Sequence, residues 1–268
     1  MVMSLGNQIV FRLLQVAASL ISVDATALPS SPTASSTALT PACAGPPGVV
    51  RLDHPLLRVA EQISADQPLT IVAIGSSSTF GAGASAQAMS YPSRLALELR
   101  ALLPRARITV INRGVNGETA QEMLARFDAD VFAASPDLVL WQVGSNSVLL
   151  GSPITPALIN DGLRRLKLAG PDVILINPQY APKVLAKHEG HDVESMVSLI
   201  SAAAREVNVD VFERFSLMRY WRVTEGLPFS AFLSQDELHM NDWSYGCMAH
   251  LLALAIAEAA SRGIVRRE

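Results

Sequence analysis

The chain has 268 residues, enough to bury one substantial core, and half of them are hydrophobic although only 6% are aromatic. Ala, Val and Leu therefore carry that core. Twenty-one basic and 24 acidic residues leave a net charge of −3 with no basic stripe, which argues against nucleic acid or an anionic membrane as the main partner.

At the N-terminus Arg12 precedes the apolar run "LLQVAASLISV", and Ala25-Thr26-Ala27 matches a small-residue cleavage signal. Residues 1–27 are expected to be a signal peptide, and the protein to be exported, periplasmic or secreted. An amphipathic or disordered N-terminus is the alternative. The run is too short to cross a bilayer as a stable helix, so no stable membrane span is expected in the mature chain. Residues 28–48, "LPSSPTASSTALTPACAGPPG", cannot bury enough apolar surface to offset their ordering entropy and read as a tether to a domain over 49–268. The two cysteines, Cys43 and Cys247, invite a disulfide in an exported chain; two free thiols are the other reading.

From residue 69 onward, short apolar runs alternate with helical patterns. Strands are predicted at 69–74, 107–112, 137–143, 172–177 and 209–212, nearly continuous in hydrophobicity as expected of strands covered on both faces. Helical patterns cover 90–104, 118–134, 155–170, 192–208 and 241–263. The order predicts an α/β fold with three layers, α/β/α, around a central parallel sheet of about five strands. In such sheets the site lies at the carboxyl ends of the strands.

The first such end is "IGSSSTFGAGAS". No lysine follows its glycines, so it is not a P-loop, and the third glycine of a dinucleotide fingerprint is missing. Thr79 stands where a Gly-x-Ser-x-Gly elbow needs glycine. What remains is a serine at the mouth of a strand, which taken alone is a polar turn. Further loops change the balance. "NRGVNGET" offers a backbone N–H at Gly114, "VGSNS" places the amide of Asn146 on the same rim, and "SQDELHMND" holds Asp236 and His239 three residues apart. A nucleophilic serine needs a base, the base an orienting carboxylate, and the oxyanion convergent donors.

This order of blocks resembles the SGNH hydrolases, the GDSL esterases and lipases, over essentially the whole folded part of the chain. Their Gly-Asp-Ser block is similar to Gly75-Ser76-Ser77, followed by Thr79 and Gly81; their Gly-x-Asn to Gly144-Ser145-Asn146; and their Asp-x-x-His to Asp236 and His239. The resemblance implies a flavodoxin-like SGNH hydrolase fold and no cofactor. It makes Ser77 the nucleophile, His239 the base and Asp236 its orienting partner, with the N–H groups of Ser77 and Gly114 and the amide of Asn146 as the oxyanion hole. Ser76 stands where the family usually has Asp, Ser147 where Asp often follows the block-three Asn, and Met240 where Pro is common, implying altered hydrogen bonding around the reacting groups.

The expected activity is hydrolysis of a small-molecule or glycan ester, with acetyl on a polar alcohol foremost. Gln179 and Tyr180, after the fourth strand, are candidate substrate contacts. A lysophospholipase-like or thioesterase-like hydrolase of longer chains is the alternative, with "SVLLG" as a possible acyl slot, as is a non-catalytic carbohydrate-binding module on the same fold. The "KHEGH" segment lacks the spacing of a zinc helix, so no metal site is expected. Nothing in the sequence fixes an oligomeric state.

Overall fold

The computed structural model describes residues 41–151, 155–186 and 192–265. The expected signal peptide, residues 28–40 of the tether and the whole "KHEGH" segment (187–191) lie outside the described residues.

The apolar runs form β1 (Leu69–Gly75), β2 (Ile108–Gly114), β3 (Leu138–Gln142), β4 (Asp172–Ile176) and β5 (Asp210–Phe212). All pair in parallel, in the order β2-β1-β3-β4-β5. Every residue of central β3 is buried, whereas edge strand β2 is half-buried over most of its length. Crossover helices can cover both faces of a parallel sheet only where strands lie between neighbours.

The described helices that matter here are α1 (Leu57–Ser64), α2 (Ser77–Phe80), α3 (Tyr91–Leu102), α4 (Ala120–Ala125), α5 (Ser145–Leu150), α6 (Pro156–Ala169), α7 (Val193–Glu206), α8 (Arg214–Val223) and α9 (Asp242–Val265). Helices α1, α3 and α9 pack together on one face of the sheet, and α4, α6 and α7 on the other, giving three layers. Local chemistry sets the helix starts. Thr155 accepts from the N–H of Leu158 ahead of Pro156, and Asp192 accepts from that of Ser195. Although α9 is long and apolar enough to cross a bilayer, its apolar face is spent on the core through Met248, Leu252, Ile256 and their neighbours.

Three features differ from the sequence reading. The single helix expected over 118–134 breaks at Arg126, which leaves helical geometry at φ −108°, ψ 10°, as its guanidinium turns toward Glu118 and the carbonyls of Gly75 and Arg113. Helices α1 and α8 had no predicted counterpart. The stretch from Pro41 to Ala44, read as tether, is held against the domain by the indole N–H groups of Trp243 and Trp221, which donate to the carbonyls of Pro41 and Ala44. Cys43 is bonded to Cys247 of α9 in the same place.

The chain leaves β1 toward β2 on one side and reaches β3, β4 and β5 on the other. The order reverses between β1 and β3, which opens a crevice at their carboxyl ends.

Candidate active site

At the end of β1, Ser76 caps α2 and its carbonyl accepts from the N–H groups of Thr79 and Phe80 at 3.0 and 2.9 Å. Ser76, Ser78 and Thr79 are buried, and Ser77 is the one serine of the three that is partly exposed. The N–H and hydroxyl of Ser76 both donate to Gln142 Oε1 at 3.0 Å, and the Thr79 hydroxyl lies 3.3 Å from the same oxygen. Gln142, at the end of β3, thus anchors the turn that presents Ser77. Sequence reasoning missed it, because an isolated glutamine closing an apolar strand carries no local signal.

His239 comes from the loop before α9. Leu233 and Met240 form an antiparallel bridge, and Glu237 between them sits in the left-handed region at φ 55°. This folds Asp236 back toward His239. Asp236 Oδ1 accepts from the Ser234 hydroxyl at 2.7 Å and from the N–H groups of Leu238 and His239 at 3.0 and 2.9 Å. Its Oδ2 lies 2.5 Å from His239 Nδ1, and His239 Nε2 lies 2.8 Å from Ser77 Oγ. Partial burial pushes the Asp236 carboxyl up, but the hydrogen bonds from the His239 ring, Ser234 and the two N–H groups together outweigh it and hold the carboxyl well below the usual carboxylate range. An ionised Asp236 accepting from Nδ1–H leaves Nε2 free to accept the serine proton.

Further contacts hold the two loops together. A Cβ at Gly83 would stand 2.5 Å from the carbonyl of Met240 and 2.7 Å from His239 Cβ. The Tyr245 hydroxyl donates to the carbonyl of Ala82 at 2.8 Å, and the N–H and hydroxyl of Ser85 donate to Asp242 at 2.8 and 2.5 Å.

The oxyanion side requires a correction. Gly114 is in register with Gly75 on the neighbouring strand, but its N–H donates to Asn112 Oδ1 at 2.8 Å and is not free to face a substrate. Its glycine identity has a packing cause, since a Cβ there would stand 2.0 Å from the backbone nitrogen of Phe80. The open N–H of this turn belongs to Gly117, at φ +83° with clear space around it and no acceptor among the described residues. The Asn146 amide, in the first turn of α5, donates to the carbonyl of Glu118 at 2.8 Å and so reaches the same turn. The signal for Gly117 was present as the second glycine of "NRGVNGET", but spacing alone does not tell which N–H is free. Arg126 steadies this edge through Glu118 at 2.6 Å and the carbonyl of Arg113 at 2.8 Å.

Gln179 is also corrected. It is 2% exposed, and its Oε1 accepts from the Ser145 hydroxyl at 2.7 Å and from Arg214 at 3.0 Å, so it is a buried fastener with no face for substrate. Tyr180 is half-buried, edge-on to Phe215 at 5.2 Å and stacked on Phe229 at 6.1 Å. Phe80, Val115 and Leu150, on the segments that follow β1, β2 and β3, are exposed. Among the described residues no group of His, Cys, Asp and Glu could hold a metal ion.

The geometry gives a hydroxyl, an imidazole and a carboxylate in one hydrogen-bonded chain. This is equipment for acyl transfer. A 50-residue stretch is 40% identical to an acetylxylan esterase of Geobacillus stearothermophilus, covering 19% of this chain and 23% of that protein. The match therefore spans less than a quarter of the curated relative. The fold is similar to that of a two-domain esterase active on acetylated mannans, with a TM-score of 0.67 and 21% identity over 79% of this chain and 55% of that one. It is also similar to the lipase/acylhydrolase of Enterococcus faecalis, with a TM-score of 0.57 and 24% identity over 71% of this chain and 96% of the other. Residues 42–262 match the family model of the non-GDSL lipase-like proteins, and the chain belongs to that family.

Proposed function

We propose that the protein is a serine esterase that removes short acyl groups, acetyl foremost, from a carbohydrate or another polar alcohol. The observation that carries this is the unbroken chain from Ser77 Oγ through His239 to Asp236. Ser77 Oγ attacks the ester carbonyl carbon as its proton passes to His239 Nε2, and Asp236 holds the imidazole in the tautomer that can accept it. The carbonyl oxygen becomes an oxyanion, received by the N–H groups of Ser77 and Gly117 and the amide of Asn146. Collapse breaks the bond to the alcohol oxygen, which takes the proton from His239. Water then attacks the acyl-enzyme with His239 again as base, releasing the acid and restoring Ser77.

The acetyl and glycan part of this reading is supported by the acetylxylan esterase and by the esterase active on acetylated mannans. A second reading, a hydrolase of longer acyl chains, is favoured by the exposed Phe80, Val115 and Leu150. Each methylene in an apolar slot discriminates by about 1–3 kcal/mol, so chain-length preference is a measurable signature. Aryl esters from acetyl to decanoyl, run beside acetylated glycans, separate the two. Release of acetate from a glycan with rates falling beyond butanoyl supports the first, and rates climbing past butanoyl with no acetate released support the second. Labelling by a fluorophosphonate that is lost in Ser77→Ala tests the nucleophile; unchanged turnover in that variant would remove it.

Export is part of the same reading: residues 1–27 as a cleaved signal and 28–40 as a spacer. The Cys43–Cys247 bond supports it, because disulfides persist in oxidising compartments. N-terminal sequencing of the mature protein tests it.

A further inference from the structure

Beneath the loops of the candidate site lies Arg214, the first residue of α8 and fully buried. No carboxylate is paired with it among the described residues. Burial brings its guanidinium down to about 10, with Tyr245 and Tyr91 acting in the opposite direction, so it remains charged at neutral pH. Burying an ion without a counter-ion is costly, and such a group persists where its hydrogen bonds do something that an apolar residue could not.

Its bonds lead to the crevice between the strands. Nε donates to the carbonyl of Asn177, just past β4, at 3.0 Å, and Nη2 donates to Gln179 Oε1 at 3.0 Å. The same Oε1 accepts from the Ser145 hydroxyl at 2.7 Å. Ser145 opens α5, and Asn146 is the next residue. The guanidinium also lies within electrostatic reach of Tyr91 and Tyr245. Tyr91 meets the Thr79 hydroxyl at 3.3 Å, and Tyr245 holds the carbonyl of Ala82. One buried cation thus touches the fastening of the oxyanion side and stands close to that of the nucleophile loop.

We infer that Arg214 is a positioning residue: through Gln179 and Ser145 it fixes the first turn of α5 and so aims the Asn146 amide at the oxyanion. The inference rests on the reading of Asn146 as an oxyanion donor. A planar fork with two donors in fixed relation suits this task, because it locks the Asn177 carbonyl and the Gln179 amide in one plane. A lysine offers its donors from a single point on a flexible stem and cannot hold that fixed geometry.

The test is a pair of double-mutant cycles. Ser145→Ala, Arg214→Lys and Asn146→Ala, with the doubles Ser145→Ala/Asn146→Ala and Arg214→Lys/Asn146→Ala, are assayed for kcat and KM on an aryl acetate, with thermal melting as a check of folding. Ser145→Ala and Arg214→Lys should each lower kcat roughly tenfold with KM unchanged, the effect of a slightly misplaced donor. In the Asn146→Ala background neither should cost anything further, because the amide they aim is gone. Losses that multiply in the doubles, or wild-type kcat in folded Ser145→Ala, overturn the role of Arg214 and leave the oxyanion reading standing. Wild-type kcat in Asn146→Ala removes that reading and this inference with it. Should Arg214→Lys fail to fold, the Ser145 cycle decides alone.

Discussion

Ser76 gives both of its donors, the backbone N–H and the hydroxyl, to a single acceptor, Gln142 Oε1, at 3.0 Å each. The GDSL block that Gly75-Ser76-Ser77 resembles has an aspartate at the position of Ser76, a residue that brings its own acceptor; here the acceptor comes from the neighbouring strand. Gln142→Leu leaves the two donors of Ser76 buried without a partner, each costing about 1–3 kcal/mol. Chemical denaturation should show the loss, and kcat should fall with it as the Ser77 turn loosens. Ser76→Ala, which removes one donor and leaves the N–H satisfied, should be milder in both.

Asp236→Asn keeps the shape of the loop and removes the charge that fixes the His239 tautomer. Turnover of an aryl acetate should fall on the order of 10³–10⁴-fold with substrate affinity little changed.

The same variant reports a pH dependence. The folded-state pKa of Asp236 lies below its ordinary value of 3.8, so the stabilisation it gives is complete above that value and lost as pH falls through the lower folded one. The gap in Tm between wild type and Asp236→Asn should therefore close as the buffer is taken below about pH 4. A gap that widened below that pH would reverse the sign of the argument.

Gly114 and Gly117 separate packing from chemistry. An alanine keeps the backbone N–H, so at Gly114 it tests only the close approach of Phe80, 2.0 Å from the added carbon. Overpacking of this kind costs typically about 1–3 kcal/mol, and displacing α2 should lower kcat as well. At Gly117 the added carbon meets open space but the φ of +83° is strained, so the expected loss is smaller, near 1 kcal/mol. Equal Tm values for wild type and Gly114→Ala would contradict the packing account.

The Cys43–Cys247 bond closes a loop of 204 residues. Long loops lie at the upper end of what a crosslink contributes, about 2–4 kcal/mol in typical cases. The double variant Cys43→Ser/Cys247→Ser should melt lower than wild type, and reductant should shift only the wild type.

The alternation of apolar runs and helical patterns made the three layers legible, since continuous hydrophobicity in short runs has few meanings other than a covered parallel strand. The meeting of Ser77, His239 and Asp236 was legible because the three stand in short, ordered blocks. What escaped was everything set by direction. The sequence shows a glycine at the end of β2 but not that its N–H is turned to Asn112, and it shows Gln179 at a strand end but not that the side chain points inward to Arg214. Arg214 itself escaped for a physical reason: a charge beside an apolar pattern reads as surface, and only the packed structure reveals that it is buried. Helix α8, with Arg214, Arg219 and Arg222 among its aromatics, hid its periodicity in the same way.

The hydrogen bond between Ser77 and His239 spans 162 residues, and the straps from Ser85 to Asp242 and from Ala82 to Tyr245 span 157 and 163. During synthesis Ser77 leaves the ribosome long before His239. A chain still being made therefore has Ser77 without the imidazole to which it is hydrogen-bonded in the folded protein. The hydrogen-bonded chain from Ser77 to Asp236 can close only when the segment that carries Asp236 and His239 has docked, so the order of the residues along the chain delays its assembly until synthesis is nearly complete.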